Sequence, residues 1–185
     1  MTDQLHRVLQ RVQKPARYIG GEYNQIVKDK SAVDVRVAFC FPDTYELGMS
    51  NIGMRILYGV MNEMDGVWAE RVFAPWGDME QEMRACSIPL FALESKDPVR
   101  EFDMIAFSIG YEMSYTNILN MLALSGVPLL ASDRTELKNI VFAGGVCAVN
   151  PEPLADFIDF FSLGEGEEST QEIVRLYQAA KREGW

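Results

Sequence analysis

Val35-Arg36-Val37-Ala38-Phe39-Cys40-Phe41-Pro42-Asp43-Thr44-Tyr45-Glu46-Leu47-Gly48 is an apolar run that breaks at a proline into a polar segment ending in glycine. β-Branched and aromatic residues dominate Val35–Phe41, which suits a buried strand, and Pro42 is a poor residue to continue one. Past Gly48 the hydrophobic period changes. Ile52, Ile56, Leu57, Val60 and Met61 recur at helical spacing, with Ser50 placed to cap them. Strand, polar connection and helix in that order open an alternating α/β unit.

The alternation continues downstream. Val67–Ala74 reads as a second strand ended by Pro75, Asp78–Cys86 as a helix, and Ile88–Ala92 as a minor strand. Asp103–Ser108 is a third strand, apolar nearly throughout because helices would cover both its faces. Ser114–Leu124 is the next helix, stopped by Ser125-Gly126. Asn139–Ala143 and Asp159–Leu163 complete the strands, followed by Gly144-Gly145 and by Gly164-Glu165-Gly166. A last helix carries Ile173, Leu176, Tyr177 and Ala180 on one face, Lys181 and Arg182 in its final turn, and Gly184 at its end. The expected fold class is α/β, a flavodoxin-like (Rossmann-like) three-layer sandwich. Its mainly parallel five-stranded sheet should run in the order 2-1-3-4-5.

Upstream, Leu5, Val8, Leu9 and Val12 mark a helical stripe within Thr2–Gln13, and Pro15 and Gly20-Gly21 break it. Residues 1–32 are therefore expected to form an N-terminal helical extension packed on the body or on a neighbour, and residues 33–185 the α/β domain.

Composition narrows the function. The net charge of −10 over 185 residues argues against a nucleic-acid partner, which would demand clustered Lys and Arg. Apolar runs fall well short of the roughly 20 residues that a membrane span needs. No secretory leader is evident, so a cytoplasmic protein without a membrane partner is expected. Cys40, Cys86 and Cys147 have no metal-binding spacing, and the single histidine, His6, sits in the N-terminal helical pattern. Neither a metal site nor catalytic residues are expected within the chain.

Parallel α/β sheets bind ligands at the carboxyl ends of their strands. Here those connections are Pro42–Asn51, Ser108-Ile109-Gly110-Tyr111-Glu112, Gly144-Gly145 and Ser162–Glu168. Their glycines would let a ligand approach the backbone closely. Glu165, Glu167 and Glu168 crowd the start of the last helix, where they would repel an anion.

The order Asp43-x-Tyr45-x-x-Gly48, Ser108-x-Gly110 and Gly144-Gly145 resembles the Asp-x-His-x-x-Gly, Ser-x-Leu and Gly-Gly elements of cobalamin-binding domains. Lys14–Asn24, Phe73-Ala74-Pro75-Trp76, Asn150-Pro151-Glu152-Pro153 and Gly164-Glu165-Gly166-Glu167 are similar to the N-terminal domain of an uncharacterised family of cobalamin-binding radical S-adenosylmethionine proteins. The resemblance implies a cobalamin across the carboxyl edge. Asp43, Tyr45 and Gly48 would lie beneath the corrin, Ser108 and Gly110 would line the slot for its nucleotide tail, Gly144 and Gly145 would let the tail pass the backbone, and Gly164 and Gly166 would join the cofactor-binding residues. Tyr45 stands where the family's histidine would, so the cobalt would lack a histidine lower ligand. The resemblance also implies a 4Fe–4S cluster and S-adenosylmethionine in a radical SAM barrel beyond Trp185, the expected partner. Alone, the chain is not expected to turn over.

Two other readings compete. A cofactor-free docking module would pack on that barrel, expose an apolar patch, and fill the edge with side chains such as Tyr45, Met49 or Tyr111. A flavin carrier would use the same edge, against its acidic loops and without a Ser/Thr-rich phosphate loop after the first strand.

Overall fold

Side chains along a strand alternate between faces, and Val35–Phe41 (β1) spends both faces on burial. In the computed structural model, which describes residues 2–185, Val35, Val37, Phe39 and Phe41 enter one apolar cluster while Ala38 and Cys40 enter another. Met104–Ser108 (β3) does the same, with Met104 and Ala106 on the first side and Ile105 and Phe107 on the second. A central strand buried on both faces requires helices on both sides. Ile52–Asn62 (α3) and Gly166–Glu183 (α6) supply the first layer through Met54, Tyr58, Met61, Val174 and Tyr177. Gly77–Cys86 (α4) and Tyr115–Ser125 (α5) supply the second through Met79, Met83, Ile118, Met121 and Leu122.

Val67–Phe73 (β2), Ile140–Gly144 (β4) and Phe160–Phe161 (β5) complete a five-stranded sheet in the order β2-β1-β3-β4-β5, and every pairing is parallel. The expected fold class and strand order therefore hold. Register sets Val35 beside Val67, Val37 beside Met104, Met104 beside Ile140, and Phe142 beside Phe160.

Local differences have identifiable causes. Asn51, not Ser50, caps α3, its Oδ1 accepting from the Met54 N–H at 2.9 Å. Ser50 instead ends a short helix, Tyr45–Ser50 (α2), that takes up most of the expected first loop. Ile88–Ala92 adds no strand to the sheet; a single antiparallel bridge joins Phe91 to Pro98. β5 is short, although ladder-like bonds flank it: Asp159 N–H donates to Val141 O at 2.8 Å and Ser162 N–H to Ala143 O at 2.8 Å.

The N-terminal helix Thr2–Leu9 (α1) stops short of Gln13. Leu5, Val8 and Val12 join the same apolar cluster as Met79 and Met83, and Gln4 donates to the Cys86 carbonyl at 2.6 Å. Residues further on serve the exposed edge of β2. Lys28 Nζ donates to Val67 O at 2.6 Å, Asn62 pairs with both the N–H and C=O of Ala69, and Leu93 N–H donates to Arg71 O at 2.8 Å. An edge strand left open would template association with another chain. Here the outward groups of Val67, Ala69 and Arg71 are met one by one. No helix among the described residues is long and apolar enough to cross a membrane.

Candidate functional site at the carboxyl edge

All nine candidate residues lie at or just beyond the carboxyl ends of the strands or on the connections that leave them. The structure divides eight of them into two sets and leaves Gly110 apart.

The first set belongs to the connection after β1, and internal contacts occupy it. Asp43 Oδ1 accepts from the Thr44 N–H at 2.7 Å, and its Oδ2 accepts the Tyr111 hydroxyl proton. Tyr45 turns to the N-terminal extension: its hydroxyl donates to Glu22 Oε1 at 2.7 Å. Its ring meets Phe73 edge-on, with centroids 5.5 Å apart. Burial, reinforced by the Glu22 carboxylate, pushes the Tyr45 phenol up to about 12, so it stays protonated at neutral pH. Gly48 is buried, and the Phe73 ring lies where a Cβ would project. Its missing side chain is what lets α2 close on β2.

The second set surrounds a hollow. Ser108, Gly144, Gly145, Gly164 and Gly166 line a space of about 310 Å³ between α3 and the start of α6. Leu57 and Phe142 contribute apolar wall, and Ser162 and Thr170 contribute hydroxyls. The volume lies at the lower end of the ~300–1,000 Å³ range of small-molecule sites. The glycines differ in how closely other chain crowds them. Gly145 adopts φ +103°, and a Cβ there would sit 2.6 Å from the Ile109 carbonyl oxygen, so the crossing of two connections demands it. Gly166 brings the α6 start against Leu57, 3.2 Å from a would-be Cβ. Around Gly164 nothing lies within 4 Å. Gly110 likewise faces open space, but it lies outside the hollow.

The hollow's mouth is acidic, since Glu165 and Glu167 line it. The α6 N-terminus favours negative charge, and these carboxylates already answer it. A free phosphomonoester, as on flavin mononucleotide, meets repulsion here. No group of three or more His, Cys, Asp or Glu side chains among the described residues is arranged to hold a metal ion.

Sequence reasoning missed a second and larger cavity, of about 860 Å³. It lies on another face of α3, between the extension and β2, with Arg71 and Tyr58 among its walls. The signal was present in the charged pair Glu70-Arg71 within an otherwise apolar strand. Arg71 is only 5% exposed. Its Nε donates to Glu94 Oε1 at 2.6 Å, and its Nη2 to Glu22 Oε2 at 2.8 Å. Burial pushes the Glu94 carboxyl up, yet both its oxygens accept, Oε2 from the Arg71 N–H at 2.7 Å. The pair is an internal tie that welds residues near 94 to β2.

Comparison with known proteins gives two findings. Residues 53–185 match the family described as radical SAM proteins, N-terminal. The uncharacterized protein MJ0966 of Methanocaldococcus jannaschii is 25% identical over 135 residues, covering 72% of this chain and 24% of that protein. The chain thus spans about a quarter of the length of the curated relative it matches. No solved structure gives a significant match.

Proposed function

Because the chain belongs to the family of N-terminal domains of radical SAM proteins, we propose that it is the cobalamin-holding domain of a larger radical S-adenosylmethionine enzyme. The glycine-lined hollow carries this reading: five of the nine residues that the resemblance points to converge on it. In this reading Ser108, Gly144, Gly145, Gly164 and Gly166 receive the nucleotide tail. Leu57 and Phe142 keep water from it, and the corrin lies over the edge near Asp43, Tyr45 and Gly48.

The residues present fit the tail but supply no cobalt ligand. Tyr45 keeps its proton and spends it on Glu22. When bound, such a cofactor supplies a weakly ligated cobalt, a state suited to methyl transfer. The 4Fe–4S cluster and S-adenosylmethionine would be held by a radical SAM domain of the same protein, in a cytoplasmic setting. This chain would contribute binding and orientation.

A second reading, a cofactor-free docking module, has its own support. Apolar side chains stand exposed on the connection after every strand: Leu47, Trp76, Met113, Val149 and Leu163 among them, with Met113 82% and Val149 75% exposed. Exposed apolar groups gathered on one edge suit a protein partner.

Dialysis after mixing the purified domain with hydroxocobalamin separates the two. The cobalamin reading expects corrin absorbance retained near one equivalent. Full loss of colour at tens of micromolar protein removes that reading and leaves the docking role.

A further inference from the structure

The larger hollow points to a ligand of its own. We propose that the cavity beside Arg71 binds a small carboxylic acid with an apolar body. The inference does not rest on the cobalamin reading, because this cavity and the glycine-lined hollow use different faces of α3: Ile52, Arg55, Ile56 and Gly59 face the one, Gly53 and Leu57 the other.

The cavity is a half-open groove of about 860 Å³, with Ile52 and Ile56 exposed on its rim, a volume within the ~300–1,000 Å³ of small-molecule sites. The walls are largely apolar, from Ile26, Met49, Ile52, Met54, Ile56 and the Tyr58 ring. A few polar groups converge among them, and their hydrogen-bonding needs are lopsided.

Every carboxylate oxygen near the site has a donor. Glu22 accepts from Tyr45 and Arg71, and Glu94 accepts from the Arg71 side chain and backbone. The donors are not all served. Among the described residues, Arg71 Nη1 has only the thioether of Met49, at 3.2 Å, a weak acceptor. The Tyr58 ring packs on the same guanidinium, 4.9 Å from its centroid, and holds it in place. Arg55, on the exposed wall of the cavity, makes no ion pair among the described residues. Unmet demand is therefore for acceptor oxygens, one at the buried end and one nearer the mouth. A carboxylate suits that demand: with Arg71 Nε and Nη2 already engaged, Nη1 can donate one charge-assisted bond to it, while Arg55 adds positive charge at the wall. The apolar walls require the rest of the ligand to be hydrocarbon or aromatic.

Decanoate, used below its micelle concentration, is the probe, with decan-1-ol as the same chain without the charge. The readout is the methyl NMR spectrum of the domain labelled at Met and Ile methyl groups. Decanoate should shift the Met49, Ile52, Met54 and Ile56 methyls along one saturable curve, and decanol should bind about tenfold more weakly. Arg55→Gln should weaken decanoate several-fold and leave decanol unchanged, and Ile56→Trp should block both by filling the cavity. Absence of a saturable shift overturns the proposal. So does equal binding of decanol, or undiminished decanoate binding in the Ile56→Trp protein. Hydroxocobalamin retention is read separately on the same samples, so failure of one site is not mistaken for failure of the other.

Discussion

The two halves of the carboxyl edge use the same kinds of residue to opposite ends. Beside β1 and β2, Asp43, Tyr45 and Gly48 are consumed by the fold, bound to Tyr111, Glu22 and Phe73. Beside β3, β4 and β5, Ser108, Gly144, Gly145, Gly164 and Gly166 leave a hollow. The difference follows from what each half must join. β2 is an edge strand carrying buried Glu70 and Arg71, and it needs the extension and residues near 94 to satisfy it. β5 pairs over only two residues, so less chain converges there and space remains. A motif matched by residue type therefore names positions, not availability.

The comparison breaks most sharply at the buried ion pair. Glu94→Ala should cost about 3–5 kcal/mol in urea unfolding, because it strips Arg71 of a buried partner. A loss near zero would mean that the β1–β2 half is not held as described. Two glycines sharpen the contrast at the next level. Gly48→Ala drives a methyl into the Phe73 ring and should cost about 1–3 kcal/mol. Gly110→Ala, with open space around it, should stay within about 0.5 kcal/mol of the parent.

On the open half, the expected effects are on binding. Ser108→Phe fills the hollow and should weaken cobalamin retention by about tenfold or more, equivalent to ~1.4 kcal/mol. Retention equal to the parent would remove the tail from this hollow.

Tyr45→Phe should cost about 1 kcal/mol by deleting the bond to Glu22, with no change in the spectrum of any bound cobalamin. It should also alter the pH dependence. A phenol raised from about 10 unfolded to about 12 folded gives stability that is complete below pH 10 and drains away as pH rises toward 12. Unfolding midpoints at pH 9 and pH 11 should therefore lie closer together in the Tyr45→Phe protein. On the binding side, the smaller effect belongs to the acidic mouth. Glu165→Gln with Glu167→Gln removes repulsion from an anionic tail and should tighten retention by a few-fold, about 0.3–1 kcal/mol for the pair. Weaker retention would mean that these carboxylates contact the ligand directly.

Much of the scaffold was legible because its signals are local. The continuous apolar runs of β1 and β3 and the glycine ending α6 at φ +84° each announce an element within a few residues. The errors also have local causes. Ser50 and Asn51 are both good caps, and only the α2 turn between β1 and α3 selects the second. Ile88–Ala92 has strand-like composition, but most of its neighbours are loop and helix. At the site, Ser108, Gly144, Gly145, Gly164 and Gly166 were legible as a set because parallel strands place their ends together. Arg71 and Glu22, 49 positions apart, were not.

The sequence by itself determined the order of strands and helices and the edge where glycines collect, because hydrophobic period and turn chemistry act over a few residues. Only the tertiary structure decided which of those residues stand free. Whether a glycine such as Gly48 or Gly164 offers room depends on what another strand brings against it, and here β2 brings Phe73 to the first and nothing closes on the second.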